Sequence, residues 1–213
     1  MLTIWGRKTS SNVQALMWCV GELGLTYERY DVGHRYGGND TREFLAMNPN
    51  GTIPVLVDGD RAPIWETGAI LRYLASCYAD PVFWPTEASA RAQVDMWADW
   101  AKINVALEFT RPIFWRVVRT APNDIDWSAV RKSVAKLAKV LDIAEARLAE
   151  NDYLCGDALT LADIQFGHLL YRYFDIGIER PSHPALLNYY HRLTGRPAFC
   201  EHVMVSYEEL RVV

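Results

Sequence analysis

Asn48-Pro-Asn-Gly-Thr-Ile-Pro-Val-Leu-Val-Asp58, followed closely by Trp65-Glu-Thr-Gly-Ala-Ile-Leu-Arg-Tyr-Leu74, is the part of the chain that decides the fold. Pro54 has no N–H to give a sheet ladder, so it belongs at the first position of a strand or in a turn. The apolar run Val55-Leu56-Val57 reads as a short buried strand, closed by the turn signal Asp58-Gly59-Asp60. Ala62 to Trp65 reads as the returning strand of a tight hairpin. Ile70, Leu71 and Leu74 then recur at helical spacing, with Glu66 and Thr67 at the mouth of the helix. Free N–H groups and the positive end of the peptide dipole gather there, which suits a carboxylate. A peptide edge ahead of a proline, set beside a helix N-terminus, makes a receptor for a short peptide.

Upstream, Leu2 to Trp5 reads as a first strand and Tyr27 to Val32 as a second. Between them Val13, Leu16, Met17, Val20 and Leu23 step by three and four, an amphipathic helix that stops at Gly24. Two strands enclosing a helix form a right-handed parallel crossover, and the later hairpin adds antiparallel strands, so the sheet is expected to be mixed. The polar loop Arg7-Lys-Thr-Ser-Ser-Asn12 joins the first strand to its helix. Gly33 to Asp40 reads as a flexible loop, and Thr41 with Glu43 opens a short helix ending near Asn48-Pro49.

Ala79-Asp-Pro-Val-Phe-Trp-Pro-Thr86 reads as a linker, and everything beyond it as helix. The expected division is 1–78, a linker at 79–88, and a helical domain over 89–213. One helix spans Ser89 to Thr110 and resumes across Pro112, which should bend it. Val130, Val134, Leu137, Leu141, Ala144 and Leu148 form a single stripe for a bundle core. In Leu159-Thr-Leu-Ala-Asp-Ile164, Thr160 is a good N-cap and Asp163 stands where a carboxylate reaches back to the cap N–H. Shorter helices over Pro184–Leu193 and Pro197–Leu210 complete the reading.

With 22 basic against 26 acidic residues in 213, the net charge of −4 gives no electrostatic case for nucleic acid or an anionic membrane. No apolar stretch approaches the ~20 residues of a span, and no leader is read at the N-terminus, so a cytoplasmic location is the default expectation. Cys19, Cys77, Cys155 and Cys200 are too scattered for a zinc site or a disulfide framework, and all four read as buried small hydrophobes.

The order strand, helix, strand, long loop, Ile-Pro strand, hairpin, Glu-Thr helix, then an all-helical segment, resembles cytosolic glutathione S-transferases across nearly the whole chain. The likeness is to a bacterial serine-type, theta- or nu-like member. It implies an α/β plus all-α fold: a thioredoxin-like βαβ-α-ββα domain followed by a helical bundle. It also implies glutathione as co-substrate without a metal, a small hydrophobic second substrate, and a homodimer. By the same resemblance Pro54 is cis and Ile53 pairs its backbone with the cysteinyl part of glutathione. Glu66 and Thr67 hold the γ-glutamyl end, and the Thr160–Asp163 element serves folding.

Conjugation needs a thiolate near neutral pH, whereas a free thiol has a pKa of about 8.5. A hydroxyl donating to the sulfur, with helix N–H groups nearby, favours the anion. The loop after the first strand offers Thr9, Ser10 and Ser11, with Asn12 close behind. Counted back from Gly24-Leu25, Ser10 falls where serine-type members carry the hydroxyl and Asn12 where some bacterial members use an amide. An offset of one would move the role to Ser11, and simple helix capping is the competing role for Ser11 and Asn12. No tyrosine lies in the first strand, where Trp5 and Arg7 stand, so tyrosine-type classes fit badly. Thr52 stands where relatives often carry a basic residue, which leaves His34, Arg35 or Lys8 to hold the glycine carboxylate. Phe109, Phe114 and Trp115, beside the distortion at Pro112, are the candidates for the second-substrate pocket. Trp97 and Trp100 read as core or interface. Two rival functions share the fold: a glutathione-dependent disulfide reductase or peroxidase on the same site, and a non-catalytic interaction module.

Overall fold

The computed structural model describes residues 1–212. Its sheet has the order β2-β1-β3-β4, formed by β1 (Leu2–Trp5), β2 (Tyr27–Tyr30), β3 (Val55–Asp58) and β4 (Ile64–Trp65). β1 runs parallel to β2 and antiparallel to β3, which closes a hairpin with β4. The mixed sheet is thus the one the sequence leads to. β2 stops at Tyr30, although Arg7 N–H still reaches the Val32 carbonyl at 3.2 Å. β4 is shorter than the Ala62–Trp65 reading, because Pro63 has no N–H for the ladder.

Helix α1 (Ser11–Glu22) is buried continuously from Val13 to Val20, not on one stripe. It has neighbours on every side: the sheet, α3 (Thr67–Tyr78), α8 (Leu161–Gly167) and α11 (Pro197–His202). A helix apolar all round is a core helix. Gly167 permits the close crossing, since a Cβ there would come within 2.9 Å of the Trp18 ring and 2.6 Å of Leu193. Arg196 fastens the same junction, gripping Glu22 with two bonds of 2.6 and 2.7 Å. α2 (Arg42–Met47) is capped by Thr41, whose hydroxyl accepts from Phe44 N–H.

After the linker, in which Phe83 and Trp84 are buried, the chain is helical from Ala88 to Val118. It runs as α4 (Ala88–Trp100), a π-helical stretch (Ala101–Ala106), α5 (Leu107–Phe109), a second π stretch (Thr110–Trp115) and α6 (Arg116–Val118). The second π stretch contains Pro112, and a wider turn relieves the clash of its ring with the preceding carbonyl. α7 (Trp127–Leu148) buries the six residues of the expected stripe. Thr160 and Asp163 form a capping box at the start of α8. α9 (Leu170–Asp175), α10 (Pro184–Thr194) and α11 follow. α11 ends at His202 rather than at Leu210; the β-branched Val203 and Val205 interrupt it before a 3₁₀ turn at Glu208–Leu210. Of the cysteines only Cys19 is buried; Cys77 and Cys200 are exposed, and Cys155 is half-buried.

Candidate active site

The loop from Gly6 to Ser10 is held from three directions. Arg29 donates to the Gly6 carbonyl at 2.7 Å. Arg172, buried on α9, donates to the Thr9 carbonyl at 2.7 Å, and the Thr9 hydroxyl bonds to Glu209. Thr9 is therefore a clamp residue, with its hydroxyl already occupied. Ser10 takes the N-cap position of α1 with extended backbone (φ −84°, ψ 125°), yet its side chain makes no cap hydrogen bond. Capping, the competing role for this loop's side chains, does not engage the Ser10 hydroxyl.

Ser10, Ser11 and Asn12 line one cleft of about 240 Å³ between the two halves of the chain. Asn12 reaches Lys102 of the first π stretch, its Oδ1 accepting from Nζ at 3.2 Å. Burial pulls the Lys102 ammonium below its ordinary pKa, and the nearby Glu66 carboxylate works against that fall. Lys102 thus joins the Ser10 loop to the mouth of α3. Glu66 there is exposed and sits at φ 69°, a left-handed conformation that costs a non-glycine residue about 1–3 kcal/mol and clusters at functional sites. Its side chain makes no cap bond; Thr67 behind it is buried.

The Ile53–Pro54 bond is cis, as the resemblance implies. Among the described residues the N–H and C=O of Ile53 have no backbone partner. Its side chain lies beside Gly6 and Gly33, where an added Cβ would approach it to 3.4 Å in each case. The Thr52 carbonyl, by contrast, is taken by Asn48 Nδ2 at 2.7 Å. Arg35 pairs with Glu209 at 2.6 Å and with the Tyr36 hydroxyl at 2.9 Å, and neither contact is to Thr52. Lys8 borders a separate hollow with Tyr27 and Arg29.

The aromatic candidates divide. Trp115 lines the cleft. Phe109 and Phe114 do not: they are 2% and 1% exposed, packed on each other, on Tyr173 and on Tyr207. Passage through the π stretch leaves Phe109, Ile113, Phe114, Val117 and Val118 on the bundle side, while Arg111, Trp115 and Arg119, four apart, face the opening. Trp97 and Trp100 pack against the core, Trp100 on Phe166.

The glutathione S-transferase N-terminal domain model matches residues 1–76, and the C-terminal domain model matches residues 104–197. Glutathione S-transferase GstB of Escherichia coli is 35% identical over 206 residues, covering 96% of this chain and 99% of its own. The chain belongs to the glutathione S-transferase family. Glutathione S-transferase 3 of Zea mays is 36% identical over 208 residues, covering 93% of this chain and 91% of that one. Among solved structures, the theta class glutathione S-transferase of the citrus canker pathogen Xanthomonas axonopodis pv. citri, with glutathione bound, superposes with a TM-score of 0.90. It is 41% identical, over 96% of this chain and 98% of that one.

In this family member, sequence reasoning missed four cleft residues: Lys102, Arg119, His168 and Arg172. His168 and Arg172 carried a signal, since both interrupt an otherwise apolar stretch at helical spacing. The His168 Nδ1–H donates to the Ile164 carbonyl at 3.1 Å; burial, with Lys102 nearby, drives its pKa down to about 3, so the ring is neutral. No helix of the described residues is long and apolar enough to cross a membrane.

Proposed function

We propose that this glutathione S-transferase adds the sulfur of glutathione to a small electrophile, with Ser10 donating to the thiolate. The uncommitted Ser10 hydroxyl, at the N-terminus of α1 and on the wall of the cleft, carries the reading. The unpaired peptide edge of Ile53 suits the cysteinyl main chain, and Glu66 with Thr67 suits the γ-glutamyl end. Asn12, tethered to Lys102, stands where it would assist the sulfur. Catalysis on this reading is electrostatic: donors already in place stabilise S⁻ without a covalent enzyme intermediate. The described cysteines all lie away from the cleft, which favours conjugation over a mixed disulfide on the enzyme. Met96 and Ile103, exposed seven residues apart on one helical run, support pairing of two copies, and sedimentation tests it.

Retention on immobilised glutathione and turnover of a chlorodinitrobenzene test the activity. Ser10→Ala should raise the pKa of the bound thiol by about 1–2 units, the worth of one hydrogen bond to a charged group. The ultraviolet absorbance of the thiolate reads this directly. An unchanged pKa in Ser10→Ala, with a large rise in Asn12→Ala, would transfer the role to Asn12.

A further inference from the structure

The cleft is basic in a chain whose net charge is −4. Arg7, Lys102, Arg111, Arg119 and Arg172 line it, and among the described residues no aspartate or glutamate does. Lys102 lies beside Asn12 and near Glu66; Arg111 and Arg119 follow it along the same helical run, and Arg172 bonds the Thr9 carbonyl. Arg111 and Arg119 lie over the ring of Trp115, their guanidinium carbons 5.1 and 4.5 Å from its centroid. Arg172 lies over Phe114 at 4.7 Å. These rings and the Thr9 carbonyl fix the cations in place without neutralising them.

The nitrogens point to what is missing. The Nε atoms of Arg7, Arg119 and Arg172 are all buried without a hydrogen-bond partner. Glu209 is the adjoining carboxylate, and it already serves Thr9 and Arg35. The arginines also repel one another: burial and Arg119 lower the pKa of Arg7 against the opposing pull of Glu209, while burial, Arg7 and Arg119 bring Arg172 down to about 9. Clustered, partly dehydrated like charges favour an incoming anion. A guanidinium fork matches the two coplanar oxygens of a carboxylate. A cleft this size must also admit the reacting carbon, so the anion has to be compact.

We propose that the second substrate is a small electrophile bearing a carboxylate, which Arg7 and Arg119 bind while Arg111 draws it in at the mouth. This replaces the hydrophobic electrophile expected from the sequence and rests on the transferase reading above. The carboxylate anchors the molecule with its electrophilic carbon toward Ser10. The glutathione sulfur then forms the S–C bond, and the leaving group departs with its electron pair.

A matched pair of electrophiles tests it: methyl 4-chloro-3,5-dinitrobenzoate, which is neutral, and 4-chloro-3,5-dinitrobenzoate, the same reactive ring with a free carboxylate. Both lose chloride to the thiolate. After division by the uncatalysed rates, the wild type should show the higher kcat/KM with the acid. Arg119→Met and Arg111→Met should each lower the acid-to-neutral ratio by about tenfold or more. Arg111→Lys, which keeps charge at an exposed position, should retain part of the preference. Raising the ionic strength should shrink the ratio as well. Equal preference in the wild type, or a ratio unmoved by either methionine variant, overturns the proposal while leaving the transferase intact. A rise in KM for glutathione that is the same with both electrophiles also overturns it, by giving the arginines to the tripeptide. Absence of turnover with either electrophile sinks the transferase reading itself.

Discussion

Replacing Asp163 by alanine should cost this protein much of its stability while touching nothing in the cleft. The carboxylate is fully buried and accepts four hydrogen bonds. Its Oδ1 takes Leu154 N–H and the Tyr189 hydroxyl, each at 3.0 Å, and its Oδ2 takes Thr160 N–H at 2.8 Å and the Thr160 hydroxyl at 3.0 Å. Truncation strands four donors where water does not reach, at about 1–3 kcal/mol each. The carboxylate's own burial is unfavourable, however, and pushes its pKa up, so deletion recovers part of the loss. A net cost of about 3–5 kcal/mol follows, the range for breaking a buried charged network. Against a total of about 5–15 kcal/mol, that is a large fraction. With a urea m-value of about 3 kcal/mol/M, the midpoint should fall by about 1–1.7 M at fixed protein concentration. Asp163→Asn, which keeps the volume but turns an amide NH2 toward two donors, should lie between. A midpoint within about 0.3 M of the wild type for Asp163→Ala would refute the reasoning, since it would mean the four bonds add nothing net.

Other outcomes are expected. Gly167→Ala forces a methyl into Trp18 and Leu193 and should cost about 1–3 kcal/mol, read as a lowered thermal midpoint; an unchanged midpoint would show that the α1–α8 contact has slack. His168, neutral in the fold with a pKa near 3 against 6.5 unfolded, contributes stability that is complete above pH 6.5 and is lost as the pH falls toward 3. The loss reaches about 4–5 kcal/mol at most, and His168→Gln should flatten that window in pH-dependent urea melts. Asp163 slopes the other way, its raised pKa giving stability at low pH that is lost as the pH rises, so wild type and variant are compared at matched pH. A thiol reagent should label Cys77 and Cys200 in the folded protein, react slowly at Cys155, whose pKa is raised to about 11 by burial, and reach Cys19 only on unfolding. Early labelling of Cys19, followed by peptide mapping, would contradict its burial.

What the sequence displayed well was whatever local spacing controls. The six-residue stripe of α7, the Thr160–Asp163 box and the alternation of strand, helix and hairpin each lie within one element or two neighbours, and each appears as read. The arginine cleft was hidden because its members come from the end of β1, the far end of the π-bearing helix and α9. Only the packed chain brings Arg7, Arg119 and Arg172 together. Phe109 and Phe114 misled for a related reason: a proline marks where a helix is disturbed, not which way its side chains turn afterwards. Thr9, Ser10 and Ser11 are chemically alike on paper, and distant partners distinguish them by engaging the Thr9 hydroxyl.

The grip of Arg172 and Glu209 on Thr9 crosses 163 and 200 positions of chain. During synthesis the sheet and α1 emerge early, ahead of the α8 and α11 surfaces that cover α1 in the finished fold. The loop bearing Ser10, though, waits for two anchors made far later, so a polypeptide interrupted before them would lack both clamps on Thr9.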